Sequence, residues 1–520
     1  MPADGDGHNH QPMNQSRSKR AGGRKARQAK RAAAPEINPA PPGPAGGAYA
    51  PLSEGDLCAI HETALKLLED PGMGDAPPSL IRAATERGAY VNKRGRLALP
   101  SELVDWAIAQ TPKRILFPGR DPAHDFEIGG DRVHYGTGGA AVQTLDIDGG
   151  LYRPSTLRDL YDFARLTDQL TNVSWFTRCC VATDVPDNFD LDVNTAYALL
   201  RGTTKPVGTS FFLPEYVDPV VDMFDEALGG PGRFAERPFC KVHISPVISP
   251  LRYGEDAVAV AEAAIRRGMI VNQIIAAQSG ATAPAAPAGF LAQSHAETLA
   301  GLVMVQCFAP GHPTIFSNWP FVIDLRTGAF AGSGGETAMM NAAAAQLGNR
   351  LGLPTGVAAS MADAKAPDAQ MGAEKAMTAL AAGLAGANMV YESSGMMGSL
   401  LGASFEAFVL DDEMLSHVYR AIRGIEVTPE TLGYEDIIAT IDGPGHFLGG
   451  PATMAAMERD YFYPSLGDRD PPSKWAEDGA PTAWDRARDK AREMLAAPDP
   501  GYLDQAADAA IRSNRKILLA

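Results

Sequence analysis

Two patterns of apolar positions alternate along most of this chain. Short runs rich in β-branched and aromatic residues occupy 173–181, 206–212, 239–246, 269–276, 314–320, 355–360 and 387–393. Between them lie Ala/Leu-rich stretches at 156–169, 191–201, 215–228, 255–267, 294–308, 336–351, 370–386 and 404–422. The first kind reads as buried strands and the second as helices of several turns. A strand-then-helix unit repeated in this way implies a parallel sheet. Seven or eight such units over about 270 residues match a closed (β/α)8 TIM barrel. A doubly wound open sheet is the alternative, but no Gly-x-Gly-x-x-Gly follows the first strand.

Ahead of this rhythm, Ser53 is placed to cap a helix whose apolar face is Leu57, Ile60, Ala64, Leu67 and Leu68. Helix-rich sequence continues to about residue 110, and "DRVHYGTGGAAVQTLDIDGG" then suggests short strands between Gly-rich turns. The expected organisation has four parts. Residues 1–50 form a basic arm and a Pro/Gly-rich linker, and 51–154 a helical region with short strands. The barrel spans 155–470, and 471–520 is a C-terminal helical extension.

Composition narrows the class. Apolar residues make up 45% of the 520 and charged residues 21%, as in ordinary soluble globular proteins. No apolar run approaches the roughly 20 residues of a membrane span, and the N-terminus lacks an apolar signal core. Five cysteines without a Cys-x-x-Cys pair argue for a reducing compartment, so a cytoplasmic protein is expected. The charge is uneven. Residues 17–31, "RSKRAGGRKARQAKR", hold eight bases and no acid. Against Asp4, Asp6 and Glu36 they leave residues 1–47 at +5, which puts the remainder at −21. A basic arm can hold nucleic acid or an acidic partner. This one carries no aromatic residue to stack on bases and is expected to be a disordered, solvated arm.

The ordinary catalytic signatures are missing. Cys240 and His243 are three apart on a predicted strand and face opposite sides, and no His-Glu-x-x-His is present, so no metal site is expected. No Gly-x-Ser-x-Gly follows a strand. "GSGG" at 332–335 precedes a helix and can cradle an anion, but lacks the Lys-Ser/Thr of a P-loop. What remains is a set of aromatic strand ends: Trp175, Phe176, Phe211, Phe212, Phe316, Trp319 and Tyr391. Aromatic faces attract a cation without a hydrogen-bond donor, which suits quaternary ammonium. The same rings can instead fill the barrel. Few charged residues, and no general acid, stand out at these ends.

Several longer motifs carry a family resemblance: "YGTGGAAVQTLD" (135–146), "YRPSTLRDLYDFARLTDQLTNV" (152–173), "ADAKAPDAQMGAEKA" (362–376), "SFEAFVLDDEMLSHVYRAIRGIEV" (404–427) and "GPGHFLGGPATM" (443–454). In this order the chain resembles the trimethylamine methyltransferase (MttB-like) family from about residue 50 to 470. The resemblance implies a (β/α)8 barrel that moves a methyl group from a methylated amine to the Co(I) of a separate corrinoid protein. It implies no cofactor bound directly, the corrinoid being carried by that partner. Family members acting on trimethylamine contain pyrrolysine. This chain has only standard residues, with the corresponding position near Ser360 or Met361. That departure points to the pyrrolysine-lacking branch, whose substrates are glycine betaine and related quaternary amines.

A quaternary ammonium leaves as a neutral tertiary amine, so its demethylation needs no proton transfer. The expected substrate-binding residues are Trp175, Phe211, His243, Gln278, Trp319, Asp363, Lys365 and Tyr391. Asp363 can attract the ammonium. Lys365, His243 and Gln278 can bind a carboxylate, and Lys365 equally the partner. Asp363 and Lys365 can also pair with each other or cap the next helix. His446, in a Gly-rich loop, is the residue the resemblance suggests for partner docking. No catalytic residue is assigned. A homo-oligomer is expected, with no membrane or nucleic-acid partner. A non-catalytic quaternary-ammonium binder or sensor on the same barrel is the alternative function.

Overall fold

The computed structural model describes residues 38–520, so the basic stretch 17–31 lies outside the described residues. Eight parallel strands form one sheet. They are β1 (His134–Tyr135), β2 (Phe176–Thr177), β3 (Val207–Thr209), β4 (Cys240–Ile244), β5 (Val271–Ile275), β6 (Thr314–Asn318), β7 (Thr355–Ala358) and β8 (Met389–Tyr391). Each is hydrogen-bonded to its successor from β2 to β8, and β8 pairs with β1. Tyr135 also bridges Val173 just ahead of β2, with Ser174 N–H donating to the Tyr135 carbonyl at 2.8 Å. The sheet thus closes into the barrel that the repeated strand–helix units imply.

The seven predicted strands are all present, each shorter than its apolar run. The eighth, β1, falls within the Gly-rich stretch expected to precede the barrel. Its two residues are too few to show a period, and backbone bonds hold it in place: on the β8 edge His134 N–H donates to the Asn388 carbonyl at 3.0 Å and Gly136 N–H to that of Val390 at 3.1 Å, and on the other edge Tyr135 accepts from Ser174.

A helix follows each strand: α1 (Leu157–Gln169), α2 (Asn188–Gly202), α3 (Val217–Ala227), α4 (Glu255–Arg266), α5 (Pro287–Phe308), α6 (Gly335–Arg350), α7 (Ala369–Leu384) and α8 (Phe405–Arg423). Polar caps fix where several begin. Thr156 and Asp159 form a capping box on α1, and Asp187, Asp368 and Ser404 cap α2, α7 and α8. Strand β5 is buried along its whole length, because alternate residues face the barrel interior and the helices outside. Gln273 donates outward to the Thr298 carbonyl of α5 at 3.0 Å, whereas Asn272 accepts inside from Ser317 of β6 at 2.5 Å.

The N-terminal helix Glu54–Glu69 begins at Ser53 as expected, with a reciprocal Ser53–Asp56 capping box, and packs its apolar face against α5. At the other end of the chain, the helix Ala483–Ala496 packs against α8 and α1. The chain forms two compact units. Leu432–Tyr461 belongs to one and contains the helices Tyr434–Asp442 and Pro451–Arg459, with the exposed His446 on the loop joining them. Ala40–Thr431 and Phe462–Ala520 form the other, which holds the barrel. No described helix is long and apolar enough to cross a membrane.

One buried ion pair ties the C-terminal ends of β7 and β8 to the helices around them. Lys375 Nζ of α7 lies 3.0 Å from Asp411 Oδ2 of α8, and both side chains are almost wholly buried. Lys375 also donates to the Ser360 carbonyl at 2.8 Å, and Asp411 accepts the Gly395 N–H at 2.7 Å. Removing one partner of such a pair strands a buried charge, at a cost of about 3–5 kcal/mol. Lys375→Met should therefore lower the denaturation midpoint sharply, and adding Asp411→Leu should restore much of the loss. A Lys375→Met protein as stable as the parent would show that the pair does not hold these loops.

Candidate active site at the barrel mouth

The strands point their C-terminal ends at one cavity of about 510 Å³. Arg178 follows β2, Phe211 and Phe212 follow β3, and His243 lies near the end of β4. Trp319 follows β6 and Glu392 follows β8. The rim is built from the loops. Those leaving β1 and β8 share a four-stranded sheet, and those leaving β5 and β6 a three-stranded one.

Aromatic rings form a continuous wall. The Trp319 ring lies 5.1 Å from Tyr391 and 5.3 Å from His243, which is 5.7 Å from Tyr391. The indole N–H of Trp319 is buried without a hydrogen-bond partner among the described residues. His243 Nδ1 lies 3.0 Å from the Asn272 amide nitrogen. That nitrogen can only donate, so Nδ1 accepts and the neutral ring carries its proton on Nε2. Burial, with Lys241 and Arg178 nearby, holds His243 well below the usual imidazole range. It is neutral at physiological pH.

Three ionisable side chains set the electrostatics. The first is Arg178, whose guanidinium has no hydrogen bond or ion pair among the described residues and opens on the cavity. Burial pulls it below the ordinary arginine value, and Asp192 and Cys180 partly compensate. Asp192 is itself pushed up to about 7 by burial, although it accepts the Phe212 N–H at 2.9 Å. The second is Lys241, inside the barrel on β4. Its ammonium donates to Thr177 Oγ1 at 2.6 Å and lies 4.9 Å over the Tyr391 ring. Burial lowers it to about 7.

The third is Glu392. It is fully buried, and neither carboxyl oxygen has a hydrogen-bond partner among the described residues. Burial pushes it up to about 8, against the opposing pull of Lys375 and Lys241, so it is mostly protonated at pH 7. Its backbone has φ of 65°, a left-handed conformation that costs energy for a residue other than glycine. In a regular strand Glu392 would face away from Tyr391. The left-handed turn aims both at the interior. Gly138 and Gly139 make the room: a Cβ there would lie 2.8 Å and 2.7 Å from the two Glu392 oxygens. The "YGTGG" motif is thus the seat of a carboxyl group.

The sequence profile described as "Trimethylamine methyltransferase (MTTB)" matches residues 20–516. The chain belongs to that family. It is a methyltransferase. A trimethylamine methyltransferase MttB of Desulfitobacterium hafniense is 29% identical over 469 residues, covering 90% of this chain and 94% of that protein. A glycine betaine methyltransferase from another strain of that species is 28% identical over 466 residues, covering 89% and 96%. A trimethylamine methyltransferase MttB of Methanosarcina barkeri is 32% identical over 455 residues, covering 85% and 89%.

Of the residues expected from the sequence of this family member, Phe211, His243 and Trp319 line the cavity, and Tyr391 packs behind Trp319. The other four sit elsewhere. Trp175 is barrel core beneath Tyr391, their rings 5.0 Å apart, and its indole donates to the Thr137 carbonyl at 3.0 Å. Gln278 lies in a short rim strand paired with Phe321 and does not line the cavity.

Asp363 is a strut of the rim. It accepts from Gly332 N–H at 2.7 Å, Ser333 N–H at 3.3 Å and Ser399 Oγ at 2.7 Å, joining the loops after β6, β7 and β8. The anion cradled by "GSGG" is thus the protein's own carboxylate. Lys365 is exposed and donates to the Asp363 backbone carbonyl at 2.6 Å, so the two side chains do not form an ion pair with each other. No group of three or more metal-ligating side chains occurs among the described residues.

Arg178, Lys241 and Glu392 were not anticipated. The signal was a charged residue inside an otherwise apolar run, as in "VSWFTR", "FCKVHI" and "MVYES". Glu392 also corrects the expectation that the strand ends lack a general acid. An unfolded glutamate releases its proton near pH 4.3, so between that value and the folded value of about 8 only the folded chain keeps it. This contribution to stability therefore falls as pH rises across that window. Glu392→Gln removes the titration. The variant should melt above the parent at pH 8, with the gap closing toward pH 5. A gap that does not change with pH would contradict the assignment.

Proposed function

We propose that this methyltransferase takes a methyl group from a quaternary amine bearing a carboxylate, glycine betaine or a related compound, and passes it to the Co(I) of a separate corrinoid protein. The observation that carries the reading is a cavity with two unpartnered groups of opposite kind. Arg178 presents a guanidinium without a hydrogen bond or ion pair among the described residues, and Glu392 a carboxyl without a partner. They are not neutralised by each other: the charges acting on Arg178 are Asp192 and Cys180, and those on Glu392 are Lys375 and Lys241. A zwitterion satisfies both ends.

The aromatic wall fits the same ligand. A desolvated cation over the Trp319 face is stabilised by about 2 kcal/mol. The protein's part is then to fix the N–CH3 bond toward the mouth and keep water out. The amine departs neutral, so neither His243 nor Glu392 has to move a proton in the transfer. The acceptor cobalt arrives with its own protein and is a substrate here. The relatives named for trimethylamine leave that amine as the competing substrate. Against it stand Arg178, which trimethylamine cannot engage, and the absence of pyrrolysine from this sequence.

The test is methylation of a reduced corrinoid protein, followed by the spectral change from Co(I) to methyl-Co(III). Glycine betaine or a close relative should support it faster than trimethylamine. The reverse order would overturn the reading. Charge-assisted hydrogen bonds contribute about 1.5–3 kcal/mol. Arg178→Met should therefore weaken glycine betaine binding at least tenfold, while changing tetramethylammonium affinity no more than about threefold. Equal losses for both ligands would remove Arg178 as the carboxylate receiver.

A further inference from the structure

Glu392 is an expensive residue to keep. Its backbone is left-handed, its carboxyl is completely buried, and two glycines are required beside it. No cation touches it. Lys375 is committed to Asp411 at 3.0 Å and to the Ser360 carbonyl, and Lys241 to Thr177. Gly138 and Gly139 border the carboxyl on the β1 side, with Met396 against Gly139, and the Cys179 thiol lies within electrostatic reach of its ionised form. The cavity face is shared with Trp319, the neutral His243 and Arg178. A structural carboxylate would be satisfied by hydrogen bonds or a salt bridge, as Asp363 and Asp411 are.

We infer that Glu392 exchanges its proton for the substrate cation: protonated when the cavity is empty, it releases H+ to solvent as a quaternary ammonium enters, and remains as the carboxylate beside it. This rests on the quaternary-amine reading above. The exchange is balanced, one permanent cation entering for one proton leaving. It keeps the empty cavity free of an uncompensated negative charge at Glu392. It also makes the fixed positive charge of the ligand, which needs no proton of its own, the feature that is selected. Affinity then rises with pH, because less Glu392 has to be deprotonated at higher pH.

Asp256 lines the exposed side of the cavity, and two groups outside its lining can also exchange protons. Lys241, lowered to about 7, would also lose a proton near an incoming cation. Asp192, at about 7 beside Arg178, would take one up near an incoming carboxylate. Only a comparison with Glu392→Gln isolates the Glu392 share.

The experiment is titration calorimetry of glycine betaine binding in phosphate and in Tris at pH 7, with parent and Glu392→Gln proteins. Affinity is also measured from pH 6 to pH 9. The parent should release roughly one proton more per ligand than the variant, and its affinity should rise at least tenfold more than the variant's between pH 6 and pH 9, as one-proton linkage requires. Equal proton release in the two proteins, or the same pH dependence of affinity in both, overturns the exchange and leaves the quaternary-amine reading standing. If the parent does not bind glycine betaine at any pH, the reading falls and the exchange with it.

Discussion

Burying a carboxyl group without a partner is among the costlier things a fold can do, and it persists only where the surroundings enforce it. Glu392 is enforced from several directions. Gly138 and Gly139 leave room for its oxygens, the Lys375–Asp411 pair anchors the loop that follows it, and the left-handed backbone turns it inward beside Tyr391. With Lys241 one layer further in, the barrel holds an acid and a base that attract at a distance without touching. The cavity above inherits that arrangement: a carboxyl held in its protonated form behind an aromatic face.

The barrel makes such a site affordable. A closed parallel sheet has no edge to protect, and its interior layers are fixed by neighbouring strands, as Asn272, Ser317 and His243 are fixed by one another. The loops can then be devoted to the rim, where Asp363 draws three of them together through backbone and hydroxyl donors. Methyl transfer by in-line displacement asks mainly for orientation and exclusion of water. In the proposed reaction, rings backed by rings, with a neutral imidazole among them, are the surface that orients the cation without competing for its methyl group.

Much of the barrel was legible because β-branched and aromatic runs buried on both faces leave a plain mark. The strand β1 was not, since two residues in a Gly-rich turn carry no period and depend on pairing at both edges. The aromatic wall was legible in part: Trp319 and Phe211 were placed, while Trp175 proved to be the layer below. Burial decides between wall and core, and a strand pattern gives the face of a residue, not its depth. Asp363 and Lys365 drew attention as a polar cluster, yet the Asp363 carboxylate is held by residues 30 to 36 positions away and Lys365 donates to the Asp363 backbone carbonyl. Arg178, Lys241 and Glu392 were each hidden by apolar neighbours. The left-handed turn at Glu392 has no sequence signal, because glutamate does not ordinarily adopt it.

The central claim is that one cavity receives a zwitterion with its ammonium against Trp319 and Glu392 and its carboxylate on Arg178. A crystal structure with glycine betaine bound tests it most directly. The account predicts the quaternary nitrogen within about 6 Å of the Trp319 ring. It also predicts the ligand carboxylate within about 3 Å of the Arg178 guanidinium. A ligand lodged at the rim near Lys365, or turned so that its carboxylate faces Glu392, would contradict it.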